Sequence, residues 1–299
     1  ACLVGSEMCI RDSCYTVYNC KDEERKMISE SATLLYAAKK EGIIKSNAHF
    51  WREYSSAEKL KNISLDPEKY AREIQNSDIH LICAFDRDFP PLPVYCKPSE
   101  KPYLFAYRGD ISLLKDRAKN FAVVGSHTPT EKILRRENTT VAELTECGYH
   151  IVSGLAKGCD TAAHKQCLAC GGKTIAVLPS TFTNIYPKEN ARLAEHIVQS
   201  GGLVLTEYVN EPATRYDRIR RFIERDRLQA MFSEKILLIA SHLPGQGDSG
   251  SRHTIEKAKE YGTERFVLYD PSTDEADPLF ALNRKYFDKG VSVLSPIDL

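Results

Sequence analysis

The 299-residue chain carries 41 basic and 41 acidic residues, so its formal net charge is zero. A hydrophobic fraction of 42% and a charged fraction of 27% are ordinary for a globular protein. This balance excludes a uniformly basic surface but allows one local basic groove. No apolar run approaches the roughly 20 residues of a membrane span, so no membrane partner is expected. Ten scattered cysteines favour reduced thiols and a cytoplasmic location.

The N-terminal part of the sequence holds a tail, a helical segment and a connector. Residues 1–14 lack the basic and long apolar segments of a signal peptide and resemble a translated sequencing adapter, so we expect an artefact or a disordered tail. Residues 22–75 are rich in Lys, Glu and Ala, with apolar side chains at helical intervals, and predict a small helical module. A proline-rich connector spans 86–102, and residues 103–107 predict a strand.

From residue 121 onward, apolar strands alternate with amphipathic helices. This alternation predicts an α/β fold in which helices cover both faces of a mainly parallel sheet. Ligands of such sheets bind at the carboxyl ends of the strands, near the switch in strand order. The predicted strands are 121–125, 149–153, 174–178, 203–206, 235–240 and 265–269, and the predicted helices are 131–147, 160–170, 188–199, 217–231 and 252–261.

The segment SGLAKGCDTAAH, residues 153–164, is the most informative part of the sequence. It joins an apolar strand to a helical segment. Gly154 and Gly158 allow the backbone to approach a ligand closely, and Asp160 is a natural helix N-cap. The amides at the start of the helix and the neighbouring Lys157 predict an anion-binding site. A lone helix histidine such as His164 is more often structural.

Two further loops follow strands and are expected at the same rim. Residues 125–129, GSHTP, have a glycine and hydroxyls suited to phosphate contact, although a plain turn has the same composition. Residues 244–254 contain G-x-G-x-x-G from Gly245 to Gly250, with Asp270 further along the chain. A dinucleotide site is one interpretation. Because the motif lies some residues after a late strand, an anion-binding Ser-Gly-Ser nest at a helix start is favoured.

Three other motifs have both a functional and a structural interpretation. Residues 215–227 hold six arginines with Tyr216 and Phe222 between them, which is typical either of a solvated helix face or of a groove for a nucleic-acid strand. The pair Cys167 and Cys170 lacks the further ligands that a zinc site needs, so no metal is expected. Residues 171–174, GGKT, follow a helix rather than a strand and have no glycine at the required upstream position, which excludes a phosphate loop of the Walker type.

Taken in order, these motifs resemble the DprA/Smf family of DNA-processing proteins. The resemblance runs from about residue 86 to residue 262. Its clearest elements are V-G-S at 124–126, S-G-L-A-x-G-x-D-x-x-A-H at 153–164 and Y-P-x-x-N at 186–190. Lesser matches are D-F-P-P-L at 88–92 within 86–93, a lead-in at 103–110, G-G-x-T-I-A-V-L at 171–178, L-T-E-Y at 205–208, F-x-x-R-x-R at 222–227 and S-G-S-x-x-T at 249–254.

The resemblance implies an extended Rossmann-like domain, residues 80–299 with a core at 120–270, after a small SAM-like helical module. It further implies a single-stranded DNA-binding protein that protects incoming DNA and helps to load RecA in natural transformation, with a homodimer as a further expectation. No cofactor and no catalytic residue are implied. The implied DNA-contacting residues are Gly125, Ser126, His127, Ser153, Gly154, Lys157, Gly158, Arg225, Arg227, Gly250, Ser251, Arg252 and Thr254; Asp160, His164 and Asn190 are implied to be structural or capping.

Four positions depart from the family pattern. Arg252 stands where the family usually carries an aliphatic residue. His127 stands where the family carries an arginine, which removes a permanent charge and a bidentate donor. Ile223 and Asp226 replace the proline and asparagine of the arginine motif, and Asp226 adds a negative charge.

Two alternative functions stay open at this level. One is an enzyme on the same fold that acts on a nucleotide, similar to the cytokinin-activating phosphoribohydrolases, although their P-G-G-x-G-T-x-x-E motif does not occur in this sequence. The other is a nucleotide-sensing module of a defence or signalling system that uses the 245–254 loop.

Overall fold

A computed structural model describes residues 28–247 and 250–295 of the chain. The tail predicted at 1–14 and the Ser249 of the Ser-Gly-Ser motif lie outside the described residues. Within the described part, one sheet has the strand order β1-β2-β6-β5-β4-β3-β7-β8-β9. The strands are β1 (His80–Cys83), β2 (Leu104–Gly109), β3 (Asn120–Val124), β4 (His150–Ser153), β5 (Thr174–Leu178), β6 (Leu203–Thr206), β7 (Lys235–Leu238), β8 (Glu264–Val267) and β9 (Ser292–Val293).

The helices alternate with these strands from β3 onward. The predicted α/β, extended Rossmann-like fold is confirmed, and each of the six strands predicted beyond residue 121 is present with small shifts of its ends. The described helices are α1 (Glu30–Lys40), α2 (Asn47–Glu53), α3 (Ala57–Leu60), α4 (Glu68–Gln75), α5 (Glu131–Glu146), α6 (Cys159–Ala169), α7 (Ala191–Gln199), α8 (Arg215–Met231), α9 (Ser251–Tyr261), α10 (Pro271–Asp274) and α11 (Ala281–Phe287). None of them is both long and apolar enough to cross a bilayer.

The sheet is parallel from β6 through β9 and antiparallel only at β1 and β2. All five residues of β3 and of β5 are buried, as expected for strands with both faces covered. Alternate residues of β5 face opposite sides: Val177 belongs to the main core, whereas Ala176 and Leu178 pack with α7. Helices therefore cover both faces of the sheet, as the sequence predicted.

The helical segment packs on the antiparallel edge of the sheet. Leu35 of α1 and Phe50 of α2 share a hydrophobic cluster with Leu81 of β1 and Leu104 of β2. The Phe50 ring stacks on Tyr103 with the ring centroids 4.2 Å apart. The strand β1 was not predicted from the sequence. The domain boundaries at 22–75 and 80–299 stay a prediction, because the helices and the sheet edge form one continuous core.

Strand β3 marks the switch in strand order. It pairs with β4 on one side and with β7 on the other: Ala122 lies opposite both Val152 and Ile236. The loops that follow β3, β4 and β7 therefore leave from neighbouring carboxyl ends, and the first residues of α5, α6 and α9 begin above them. This is the position at which open parallel sheets bind their ligands.

Candidate functional site

The turn between β4 and α6 is held by one buried carboxylate. Asp160, 6% exposed, accepts hydrogen bonds from the backbone amides of Gly154 at 3.1 Å and Ala156 at 3.2 Å. The prediction that Asp160 is the N-cap is wrong: α6 begins at Cys159, and Gly158 is the N-cap. Asp160 lies within the first helical turn of α6, and its carboxylate bonds back to the loop that precedes the helix. Two backbone amides of the β4–α6 turn are thus already occupied by Asp160.

The glycines of this turn are required by close packing. At Gly158, with φ of 69°, a Cβ would overlap the backbone of Ser126 and His127. At Gly154 it would overlap the guanidinium group of Arg225. These glycines let three segments of chain meet at one point, and their role in the described structure is packing.

Asn190 completes the turn from the loop after β5. Its side-chain amide donates to the carbonyl of Leu155 at 2.8 Å and to Thr161 Oγ1 at 2.7 Å. Leu155 has a φ of 57°, a left-handed conformation that a leucine rarely adopts. The Asn190 bond holds the carbonyl of that residue in place. Asn190 is structural, as the sequence indicated.

His164 is fully buried below the turn. Its Nδ1 lies 2.7 Å from Thr174 Oγ1, and the Thr174 hydroxyl donates to the carbonyl of Ile151. The hydroxyl therefore accepts from His164, which places the histidine proton on Nδ1. Burial, assisted by the nearby charge of Arg225, lowers the pKa of His164 to about 3, so the ring is neutral. Its structural role follows from these bonds.

The two inner arginines of α8 point into the protein. Arg225 is 4% exposed and donates to the carbonyls of Gly154 and Val177, the latter at 2.8 Å. Arg227 Nη2 donates to both carboxylate oxygens of Glu207, at 2.8 and 2.7 Å. The sequence interpretation treated both as open phosphate ligands, whereas the structure uses their donors internally. The reason is that the C-terminal half of α8, from Arg225 to Met231, is buried on all sides.

Asp226 adds a third buried charge beside them. Its Oδ1 accepts from Arg225 Nε at 3.1 Å and from the Gln229 amide at 3.3 Å. Burial raises the pKa of Asp226 from 3.8 to about 7; the nearby Arg225 opposes this shift and Asp160 adds to it. The carboxyl that replaces the family asparagine is therefore partly protonated near neutral pH.

The predicted hydroxyl residues hold the loops to one another. Ser153 Oγ donates to the carbonyl of Val123 at 2.7 Å, and Ser251 Oγ donates to the carbonyl of Gly125 at 3.1 Å. Ser126 Oγ accepts from the amide of Thr128 at 3.1 Å. Thr254 is 1% exposed. These side chains fix the switch-point loops, and Ser251 joins the loop after β7 to the loop after β3.

Above this buried layer lies a cavity of about 380 Å³. It brings together five of the predicted residues from three loops and from α8. Its aromatic wall is Tyr186 and Phe222, whose rings meet edge to face with centroids 5.3 Å apart. Tyr186 is 47% exposed. The cavity is lined by His127, Gly154, Ala156, Lys157, Pro179, Tyr186, Pro187, Ile219, Phe222, Ile223, Arg225, Asp226, Gly250 and His253; we call it the switch-point cavity.

Two cationic side chains of the prediction lie at the surface near it. The Lys157 ammonium pairs with Glu189 at 2.5 Å, and this bond raises the pKa of Lys157. Arg252, which does not line the cavity, pairs with Glu256 one helical turn away at 3.4 Å. Exposed pairs of this kind contribute little to stability.

The sequence interpretation missed most of the apolar wall. Ile219 and Ile223, 49% and 44% exposed, lie at helical spacing on α8, and Tyr186 follows β5 within the Y-P-x-x-N motif. In the sequence, the two isoleucines at helical spacing inside an otherwise charged helix are the feature that could have indicated this apolar wall. Apolar and aromatic side chains beside a basic rim are typical of sites that stack nucleobases.

Comparisons with known proteins agree on one family. The family model of DNA recombination-mediator protein A matches residues 80–278. The chain is 32% identical to Protein Smf of Synechocystis over 216 residues, 71% of this chain and 52% of that protein. It is 32% identical to the DNA processing protein DprA of Streptococcus pneumoniae over 240 residues, 76% of this chain and 80% of that protein.

Two solved structures are similar along most of the chain. The X-ray structure of DprA from Streptococcus pneumoniae has a TM-score of 0.67 at 26% identity, covering 89% of both chains. DprA from Helicobacter pylori, a structure described for its single-stranded DNA binding mode, has a TM-score of 0.58 at 25% identity, covering 73% of this chain and 90% of that one. The match to the Synechocystis relative spans about half of that protein's length, and the match to DprA of Bacillus subtilis spans 56%.

Proposed function

Because the chain belongs to the DNA recombination-mediator protein A family, we propose that it binds single-stranded DNA at the switch-point cavity. The observation that carries the proposal is the aromatic pair Tyr186 and Phe222, which opens to solvent beside Lys157 and His127. Bases stack on such rings without regard to sequence, and phosphates are held by the basic rim.

The buried layer supports this function without touching the strand. Asp160, Asn190 and Arg225 hold the turn and the floor of the cavity, so that the rim residues keep a fixed spacing. A fixed spacing lowers the entropy lost when a flexible strand binds.

The cellular role follows the family. The protein protects incoming single strands during natural transformation and assists RecA loading, acts as a cytoplasmic homodimer, and breaks no covalent bond. These parts of the proposal rest on the relatives, whose full lengths extend beyond the matched region.

The test is the affinity for a labelled oligothymidylate as a function of salt. We expect the logarithm of the binding constant to fall linearly with the logarithm of salt concentration, because phosphate contacts release counterions. Lys157→Gln should reduce the affinity. It should also make the slope of the logarithm of the binding constant against the logarithm of salt concentration shallower by about 0.7.

Lys165→Gln is the matched control. Lys165 is exposed on α6, near Lys157 in the chain, but it does not line the cavity. Equal affinities of both variants and of the unaltered protein would remove Lys157 from the site. Binding of nucleoside monophosphates with release of free base, and no oligonucleotide binding, would instead favour the phosphoribohydrolase-like enzyme.

A further inference from the structure

A second cavity, of about 550 Å³, lies between the helical segment and α8. Six cationic side chains and three carboxylates line it. The cations are Lys39 and Lys45 from the helical segment and Arg220, Arg221, Arg227 and Lys257 from the α/β part; the carboxylates are Glu100, Glu207 and Glu224. We call it the inter-module cleft. Its lining carries an excess of positive charge, so it favours an anion.

The three carboxylates are already neutralised within the protein. Glu207 accepts both bonds of Arg227 and a bond from the Asn47 amide at 3.2 Å. Glu100 pairs with Lys257 at 2.7 Å, and Glu224 pairs with Arg220 at 3.2 Å. The excess positive charge therefore lies with the cations that have no carboxylate partner.

Both of those cations, Lys39 and Lys45, come from the helical segment. Among the residues that the structure describes, neither Lys39 nor Lys45 forms an ion pair, and the Lys39 ammonium lies 4.8 Å above the Tyr103 ring. On the opposite wall, Arg221 pairs with Asp217 at 3.1 Å, but its buried Nε has no hydrogen-bond partner in the described structure. Burial lowers the pKa of Lys39 to about 8, with the charge of Arg227 adding to this effect and that of Glu207 opposing it. An anion in the cleft would supply the missing partner of both groups.

The cleft and the switch-point cavity are neighbours across one helix. Ile223 lines both of them, with Phe222 and Asp226 toward the cavity and Arg220 and Glu224 toward the cleft. Ile223 is 44% exposed, so it forms an open apolar edge between the two. A ligand long enough to leave the cavity over Ile223 enters the cleft directly.

We propose that the inter-module cleft binds the phosphate backbone of the same single DNA strand whose bases occupy the switch-point cavity, with Lys39 and Lys45 as its ligands. This proposal rests on the proposed function. It makes the helical segment part of the DNA track, and it predicts that long strands gain affinity from residues that short ones do not reach.

The experiment compares trithymidylate with a thymidylate oligomer about twenty nucleotides long, on the full chain. In the double variant Lys39→Met and Lys45→Met, we expect about tenfold weaker binding of the long strand at low salt, and unchanged binding of trithymidylate. Methionine keeps the length and the apolar stem of the side chain while removing the charge. The single variant Lys45→Met, at an exposed position, should show part of the loss without any effect on packing.

The matched control is Lys40→Met. Lys40 neighbours Lys39 on α1 but pairs with Glu73 outside the cleft. Equal affinity of the double variant and the unaltered protein for the long strand would overturn the proposal, as would an equal loss for both probes. Failure of the unaltered protein to bind either probe would overturn the proposed function instead. Thermal stabilisation of the unaltered protein by inorganic pyrophosphate, with no dependence of affinity on strand length, would assign the cleft to a free phosphate ligand and overturn its role in the DNA track.

Discussion

The floor and the rim of the switch-point cavity are built from the same sequence motifs but have opposite chemistry. In the floor, Asp160, Asn190 and Arg225 have their hydrogen bonds satisfied by other parts of the protein. At the rim, Lys157 and Tyr186 are exposed. The comparison shows that residues of one motif can have two different roles. Some maintain the shape of the cavity, and others are available to contact a ligand. Variants of the floor should therefore change stability, and variants of the rim should change binding.

The largest effect is expected for Arg225→Met. This change leaves the carbonyls of Gly154 and Val177 without their donor and leaves Asp226 buried beside no cation. Removing one partner of a buried ion pair costs about 3–5 kcal/mol. Urea unfolding measures the change in the free energy of unfolding. A fully stable variant that had lost only its DNA affinity would place Arg225 with the rim.

The rim aromatics should show the reverse behaviour. Tyr186→Ala and Phe222→Ala should each weaken oligothymidylate binding by about 1–3 kcal/mol, because each removes a stacking surface. Since Tyr186 is half exposed, its loss should change the thermal midpoint little. Tyr216→Ala is the control, because Tyr216 is exposed on α8 outside the cavity. Fluorescence anisotropy compares the three variants, and an equal loss in all of them would contradict the assignment.

Asp226→Asn tests the floor through its pH dependence. The folded protein holds the Asp226 proton more tightly than the unfolded chain, with a pKa of about 7 against 3.8. The contribution of this group to the free energy of unfolding is therefore full below about pH 3.8 and is lost as the pH rises through about 7. Asparagine does not ionise, so the variant should be more stable by about 1–3 kcal/mol near pH 8.

Chemical unfolding at about pH 5 and pH 8 measures this difference. The gain should be larger at the higher pH. A gain that is the same at both values would show that Asp226 does not change its protonation state in this range.

The smallest effect is expected at the rim position that departs from the family. His127→Arg adds a permanent charge and a bidentate donor at an exposed position, so oligothymidylate binding should strengthen by about 0.5–1 kcal/mol without a change in stability. The salt dependence of binding should become steeper. An unchanged salt slope would place residue 127 outside the path of the strand.

Much of this architecture could be predicted from local pattern. The apolar runs of β3 and β5 and the glycines at 154 and 158 located the strands and the turn between β4 and α6. The short strand β1 was missed although six of the seven residues from 79 to 85 are apolar. A short apolar run suits a strand or a buried helical segment equally, and only its pairing with β2 decides between them. The role of Asp160 was also beyond local pattern, since an acidic residue near a helix start can cap that helix or reach back to an earlier turn.

By itself, the sequence determined the order of strands and helices and indicated the family, because periodicity and turn chemistry act over a few residues. The tertiary structure alone decided which polar groups remain for a ligand. Arg220 lies in the N-terminal half of α8, which is largely open to solvent, whereas every residue from Arg225 to Met231 is buried. Packing of this C-terminal half encloses Arg225 and Arg227 and leaves Arg220 exposed. The same packing places Lys39, distant in the chain, across the cleft from Arg221.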